Sequence, residues 1–140
     1  NYAITYVNGN IIVGAKALSI TANDVNKTYG TLISSPGAGQ TTFTSIGLAN
    51  SETIGSVSLA YGTGAAANAA VGTYNTVTPS APVGGTFTAS NYAITYVNGN
   101  IIVGAKALVI TANDVNHTYR RLISSPCAGQ TTFTSIVLAN

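Results

Sequence analysis

The chain has no methionine, no tryptophan, one cysteine and one histidine in 140 residues, and only 6% of it is charged. Each shortage closes off a class of function. A lone thiol, Cys127, cannot form an internal disulfide, so stability must come from packing and hydrogen bonds. With His117 as the sole histidine, a histidine-rich metal site and a Ser-His-Asp triad both lack their partners. The acidic residues Asp24, Glu52 and Asp114 offer no pair close enough in sequence for calcium binding or glycoside hydrolysis. Lys16, Lys27, Lys106, Arg120 and Arg121 leave a net charge of +2, too dilute a basic face for nucleic acid. No apolar run approaches the roughly 18–20 residues that span a bilayer, so no membrane insertion is expected in this segment. Without a methionine, the 140 residues are expected to be a window on a longer chain.

What the chain has is a repeat. Residues 91–140 reproduce residues 1–50 with six changes: Ser19→Val109, Lys27→His117, Gly30→Arg120, Thr31→Arg121, Gly37→Cys127 and Gly47→Val137. The offset of 90 residues exceeds the roughly 20–50 residue periods of solenoids and propeller blades. It is long enough for each unit to be a small domain with its own core. Residues 1–14 are expected to close a preceding unit, residues 15–104 to form one complete unit, and residues 105–140 to open the next. Tandem arrays of this kind usually provide length or mechanical continuity.

The local patterns are those of strands. In Tyr2–Val7 the large side chains of Tyr2, Ile4 and Tyr6 fall on one face, as a period of two requires. Asn8-Gly9 follows, then Ile11–Val13, and an Asn-Gly pair between two such runs predicts a type I′ hairpin. The same hairpin is expected at Tyr92–Val97, Asn98-Gly99 and Asn100–Val103. Ala15–Ala22, Thr41–Leu48, Ser56–Tyr61 and Val71–Val77 read as further strands. Asn23–Asn26 reads as irregular and Thr78–Gly85 as a Pro/Gly-rich loop. Ala65–Ala70 is the only helix-prone stretch, too short to stand alone. About seven short strands per unit predict an all-β, mostly antiparallel fold, either a β-sandwich or a β-grasp-like module.

Three elements in order carry a family resemblance: Lys27-Thr28-Tyr29-Gly30, Val71-Gly72-Thr73-Tyr74, and Asn91-Tyr92-Ala93-Ile94 running on to Gly99. Together they resemble the MBG-type repeat of large bacterial surface adhesins and filamentous-haemagglutinin-like proteins. The resemblance implies a mostly β module, carried in tandem on secreted or cell-surface proteins, with no catalytic residues. The chain departs from the pattern in two places. The acidic segment that usually follows Tyr-Gly is replaced by Thr31–Pro36, and the second copy reads His117-Thr118-Tyr119-Arg120. If Gly30 has positive φ, Arg120 in the same conformation costs about 1 kcal/mol or more.

The chemical inventory agrees. No catalytic, cofactor-binding or metal-ligating residue is assigned. Gly62-Thr63-Gly64 lacks the strand-to-helix step and the following lysine of a phosphate loop. Asn26-Lys27-Thr28 and Asn116-His117-Thr118 fit an N-glycosylation pattern but read as Asn-rich loops. Tyr2, Tyr6, Tyr92 and Tyr96 read as core aromatics, with stacking on sugars the alternative. The expected function is a non-enzymatic stalk or filament-building repeat of an extracellular adhesin or surface fibre. Its expected partners are neighbouring repeats or identical chains. The alternatives are a self-assembling subunit joined by strand exchange and a carbohydrate- or matrix-binding module.

Overall fold

The computed structural model describes residues 1–117, 119, 125–126 and 128–137. Its strands follow the period of two. In β1 (Lys16–Ala22), Leu18, Ile20 and Ala22 are buried while Ser19 and Thr21 stay partly exposed. In β5 (Ile54–Ala60), Val57 and Leu59 point inward, and in β8 (Gly99–Gly104) Ile101 and Val103 do. The other strands are β2 (Val25–Thr28), β3 (Gly37–Gln40), β4 (Phe43–Ile46), β6 (Gly72–Gly85), β7 (Tyr92–Val97), β9 (Leu108–Ala112) and β10 (Phe133–Val137). Among the described residues there is no α-helix, only single 3₁₀ turns at Thr63–Ala65 and Ala89–Asn91.

The strands form a three-stranded sheet, β4-β1-β7, a five-stranded sheet, β2-β8-β6-β5-β3, and a separate pair, β10-β9. Buried residues from both larger sheets make one core: Leu18, Ile20 and Tyr92 from the first, Val57, Val77, Ile101 and Val103 from the second. The fold is all-β, as expected, and most pairings are antiparallel. Two are parallel, β1 with β7 and β2 with β8. These arise because β1–β2 and β7–β8 each cross from one sheet to the other, and the two crossing segments run side by side.

That crossing corrects the expected hairpin at residues 92–103. β7 and β8 lie in different sheets and do not pair with each other. Neither Asn98 nor Gly99 has the positive φ that a type I′ turn needs. A Cβ on Gly99 would lie 2.5 Å from the Asn23 carbonyl oxygen and 2.6 Å from that of Ala22. The glycine is required by the close passage of the two corners rather than by turn geometry. Asp24 locks the same place, accepting a hydrogen bond from the Asn100 amide at 2.8 Å.

Two other expectations change. Asn23–Asn26 is not irregular throughout, because Val25–Thr28 pairs with β8. The stretch Thr78–Gly85 is no loop but the second half of β6, paired with β5. Its prolines are tolerated for local reasons. Pro79 lies past the last β6–β8 pair, Val77↔Gly99, where no partner on that side requires an N–H. Pro82 falls within a register shift against β5, beside Ala81 at φ 45°.

The second copy repeats the first in part. β9 and β10 pair from Val109↔Ile136 to Ala112↔Phe133, the same register as Ser19↔Ile46 to Ala22↔Phe43 in β1 and β4. β10 runs one pair further, to Val137↔Leu108. Residues 1–15 form no strand and are exposed throughout, although their sequence is that of residues 91–105.

Candidate functional site

Side chains with chemistry to offer are engaged in holding loops. Lys27 sits in β2 with its side chain turned inward and is 8% exposed. Its ammonium group donates to the Thr31 carbonyl at 2.8 Å and to the Ala66 carbonyl. Three backbone bonds reinforce the clamp: Tyr29 N–H to Gly104 O at 2.8 Å, Gly30 N–H to Ala67 O at 3.0 Å, and Ile33 N–H to Ala65 O at 3.0 Å. The Lys27–Gly30 element thus staples the helix-prone alanine segment over one end of the core, burying Ala65 and Ala69. Gly30 takes φ 89° to make the turn.

Removing the ammonium leaves two carbonyls without their donor. Hydrogen bonds to a charged group are each worth roughly 1.5–3 kcal/mol. Lys27→Ala is therefore expected to destabilise the unit by about 2–3 kcal/mol, or roughly 10–20 °C in Tm. Urea unfolding checks this, and a loss under about 0.5 kcal/mol would show that the clamp is not structural.

The second element works by shape and by one bond. Tyr74 packs where a Cβ on Gly64 would come within 2.8 Å of its side chain, and its hydroxyl donates to the Ala70 carbonyl at 3.0 Å. Gly62-Thr63-Gly64 thus serves close packing against β6; a Cβ on Gly62 would meet the Thr76 side chain at 2.6 Å.

Tyr92, from the third element, is buried beside Phe87, with ring centroids 6.3 Å apart and a tilt of 47°. Its hydroxyl donates to the Glu52 carboxylate and accepts from the Ala49 amide at 3.0 Å. A tight turn positions Glu52: its N–H donates to the Ala49 carbonyl at 2.8 Å, while Asn50 and Ser51 take φ 52° and 57°. The hydrogen bond to Glu52 raises the Tyr92 pKa above the ordinary tyrosine value, aided by burial and the carboxylate charge and opposed by the Ala49 amide. A raised folded-state pKa favours the protonated hydroxyl in the native state. The stabilisation is complete below about pH 10 and is lost as pH rises through the folded-state value. Unfolding free energy should fall between neutral and strongly alkaline pH, and Tyr92→Phe should flatten that fall; an unchanged slope would disprove the coupling.

Around Tyr92 lies an open cleft of about 370 Å³, lined by Val13–Lys16, by Ala49, Asn50 and Glu52, and by Ser90 and Asn91. Its floor is formed around Tyr92 and one wall is the segment leading into β1.

The structure separates the other residues singled out in the sequence. Asp24 is a corner lock, Glu52 an acceptor for Tyr92, and Asp114 lies in the second copy. Among the described residues no group of three or more His, Cys, Asp or Glu is gathered as metal ligands. Asn26 is exposed, but on strand β2 and not in a loop. Thr118, Arg120, Arg121 and Cys127 lie outside the described residues. The clamp role of Lys27 was missed in the sequence, where its only signal was a lysine two residues before a Tyr-Gly pair.

Residues 18–102 match the MBG domain of YGX type. The chain belongs to that family. The match begins in β1 and ends in β8. MBG domains occur as repeats in extracellular or surface proteins and are generally structural. No curated protein and no solved structure matches the chain. No helix among the described residues is long and apolar enough to cross a membrane.

Proposed function

We propose that this MBG unit is a non-catalytic structural repeat of a bacterial extracellular adhesin or surface fibre, acting as a stalk or filament-building module. The observation that carries the reading is the use of the motif residues. Lys27, Tyr74 and Tyr92 each tie a loop to the core, and none presents its polar atom as a free reactive group. The arrangement of units supports it. β8 ends at Gly104 and β9 begins at Leu108, so residues 105–107 alone connect one unit to the next. So short a connector leaves little slack and makes an array stiff. The neutral surface, with 6% charged residues, permits close lateral approach of neighbouring units. The partners are accordingly adjacent repeats or identical chains. A glycan-stacking role finds no support at Tyr92, whose ring and hydroxyl are both engaged.

An antibody raised against the folded unit tests the proposal. It should label intact, unpermeabilised cells, and the denatured antigen should be many times larger than 140 residues. Labelling only after permeabilisation would overturn the surface location. A denatured species of this size would replace the long stalk by a discrete subunit.

A further inference from the structure

The element Lys27-Thr28-Tyr29-Gly30 faces two ways. Lys27 points inward and ties down loops of its own unit. Tyr29 and Gly30 instead meet the segment that leads into β9. The Tyr29 N–H donates to the Gly104 carbonyl at 2.8 Å, where the β2–β8 ladder ends with the pair Thr28↔Gly104. Beyond that point Lys106 lies across the turn, half-buried. A Cβ built on Gly30 would sit 3.8 Å from both its Cδ and its Nζ. Tyr29, Lys106, Ala107 and Leu108 together line an open notch of about 170 Å³.

This contact stands where no shared core exists. The buried core and the hydrophobic residues packed against it all come from residues 18–103. Among the described residues, β9 and β10 pair with each other and with no strand of the two larger sheets. The direction that β9 and β10 take from the unit is therefore set by the connector and by what holds it.

We propose that the Tyr29-Gly30 turn is the joint that sets the direction of the following copy in the same chain, with Lys106-Ala107-Leu108 as the segment it seats. The Tyr29 amide fixes the end of β8, its ring walls the notch, and Gly30 leaves room for the lysine stem. A methyl group in place of the Gly30 hydrogen makes only ordinary contact with that stem. An arginine extends into it and brings a second positive charge beside the ammonium. Arginine is the residue that the second copy carries there, as Arg120. The seated segment, by contrast, is the same in both copies, since Lys16-Ala17-Leu18 opens the complete unit. The glycine seat is thus the variable half of the joint. The proposal deepens the structural-repeat reading and rests on it for its biological meaning. The two fail separately: a loose joint leaves surface labelling untouched, and absent labelling leaves the joint as it is.

Pairs of nitroxide labels on the 140-residue chain carrying Cys127→Ala test the joint. One pair, Thr78→Cys with Val109→Cys, spans it; the other, Thr44→Cys with Thr78→Cys, lies within the unit, and all three positions are exposed. Double electron–electron resonance should give a single narrow distance distribution for each pair. Gly30→Arg and Tyr29→Ala should widen the joint-spanning distribution at least about twofold, because a released three-residue connector samples many directions. Both variants should leave the pair within the unit narrow. Gly30→Ala should leave both pairs narrow. Gly30→Ala and Gly30→Arg share the strain of φ 89°, so their difference reads the contact with Lys106. A broad joint-spanning distribution in the parent chain would overturn the proposal, as would a width that Gly30→Arg and Tyr29→Ala leave unchanged. Widening of both pairs in both variants would make the turn a support of its own unit only, and would overturn it too.

Discussion

Gly99→Ala is expected to unfold the MBG unit at moderate temperature, while Gly9→Ala, in the same Asn-Gly-Asn context, leaves unit stability unaltered. The contrast isolates tertiary environment from local sequence. At Gly99 the new methyl would lie 2.5 Å and 2.6 Å from two backbone carbonyl oxygens, those of Asn23 and Ala22. Neither can move without prying the β1–β2 corner from the β7–β8 corner. Overpacking typically costs about 1–3 kcal/mol, and clashes with backbone on two sides place this one at the top of that range. Displacing the corner also breaks the bond from the Asn100 amide to Asp24, adding roughly 1.5–3 kcal/mol. The sum, about 4.5–6 kcal/mol, is comparable with the whole stability of a small domain. Thermal melting followed by circular dichroism should show a drop of roughly 20–30 °C. A cost below about 1 kcal/mol would mean that the two corners do not pass as closely as described.

Gly47→Val should be nearly as damaging, and it installs a residue the second copy already has. Gly47 has φ 114°, and a Cβ there would lie 2.4 Å from the Ala17 carbonyl oxygen and 3.3 Å from the Leu18 Cα. A β-branched residue at such a φ costs about 1–2 kcal/mol in backbone strain, and the backbone clash adds roughly 1–3 kcal/mol. The expected loss is about 3–4 kcal/mol, measurable as a lowered urea midpoint with an unchanged m-value. In the second copy the strand itself reaches this position. There Val137 joins the ladder opposite Leu108, one pair beyond the point where β4 ends. A near-neutral Gly47→Val would show that the first copy can adopt that extended pairing too.

Gly47 is one of six positions that differ between the copies. Gly30, Gly37 and Gly47 all have positive φ in the complete unit, at 89°, 75° and 114°, and the second copy replaces them with Arg120, Cys127 and Val137. Lys27, the buried clamp, becomes His117, and Thr31, whose carbonyl the clamp holds, becomes Arg121. Four of the six changes therefore replace a positive-φ glycine or the clamp lysine of the first copy; the Thr31 carbonyl is a main-chain group that an arginine also carries. Gly30 does carry positive φ, and an arginine in that conformation is strained. Nothing in the structure explains Ser19→Val109 beyond its place on the partly exposed face of the strand.

Much of the module was legible before any coordinates. Ala15–Ala22 read as a strand, and β1 covers Lys16–Ala22 with Leu18, Ile20 and Ala22 buried at alternate positions. The order of Lys27–Gly30, Val71–Tyr74 and Asn91–Ile94 pointed to the family that residues 18–102 match. Local cues misled where a tertiary partner outweighed them. Asn98-Gly99 has the chemistry of a hairpin turn, yet β7 and β8 each find a parallel partner in a different sheet. Pro79 and Pro82 signal a loop, yet β6 carries both because its partner β5 lies on one side only at that point.

The amino-acid sequence by itself determined the strand-forming periodicity, the repeat and its 90-residue offset, the family, and the shortage of charge and of reactive side chains. Only the tertiary structure decided which strands pair, that Lys27 is a clamp, and that Gly99 is held by close approach. The clearest case is the segment the chain carries twice: residues 92–104 form two strands and bury Tyr92, Ile101 and Val103, while residues 2–14 form none. The side chains are the same. A strand's hydrogen bonds and buried faces are supplied by its neighbours, so identical sequence becomes structure only where β1, β2 and β6 stand beside it.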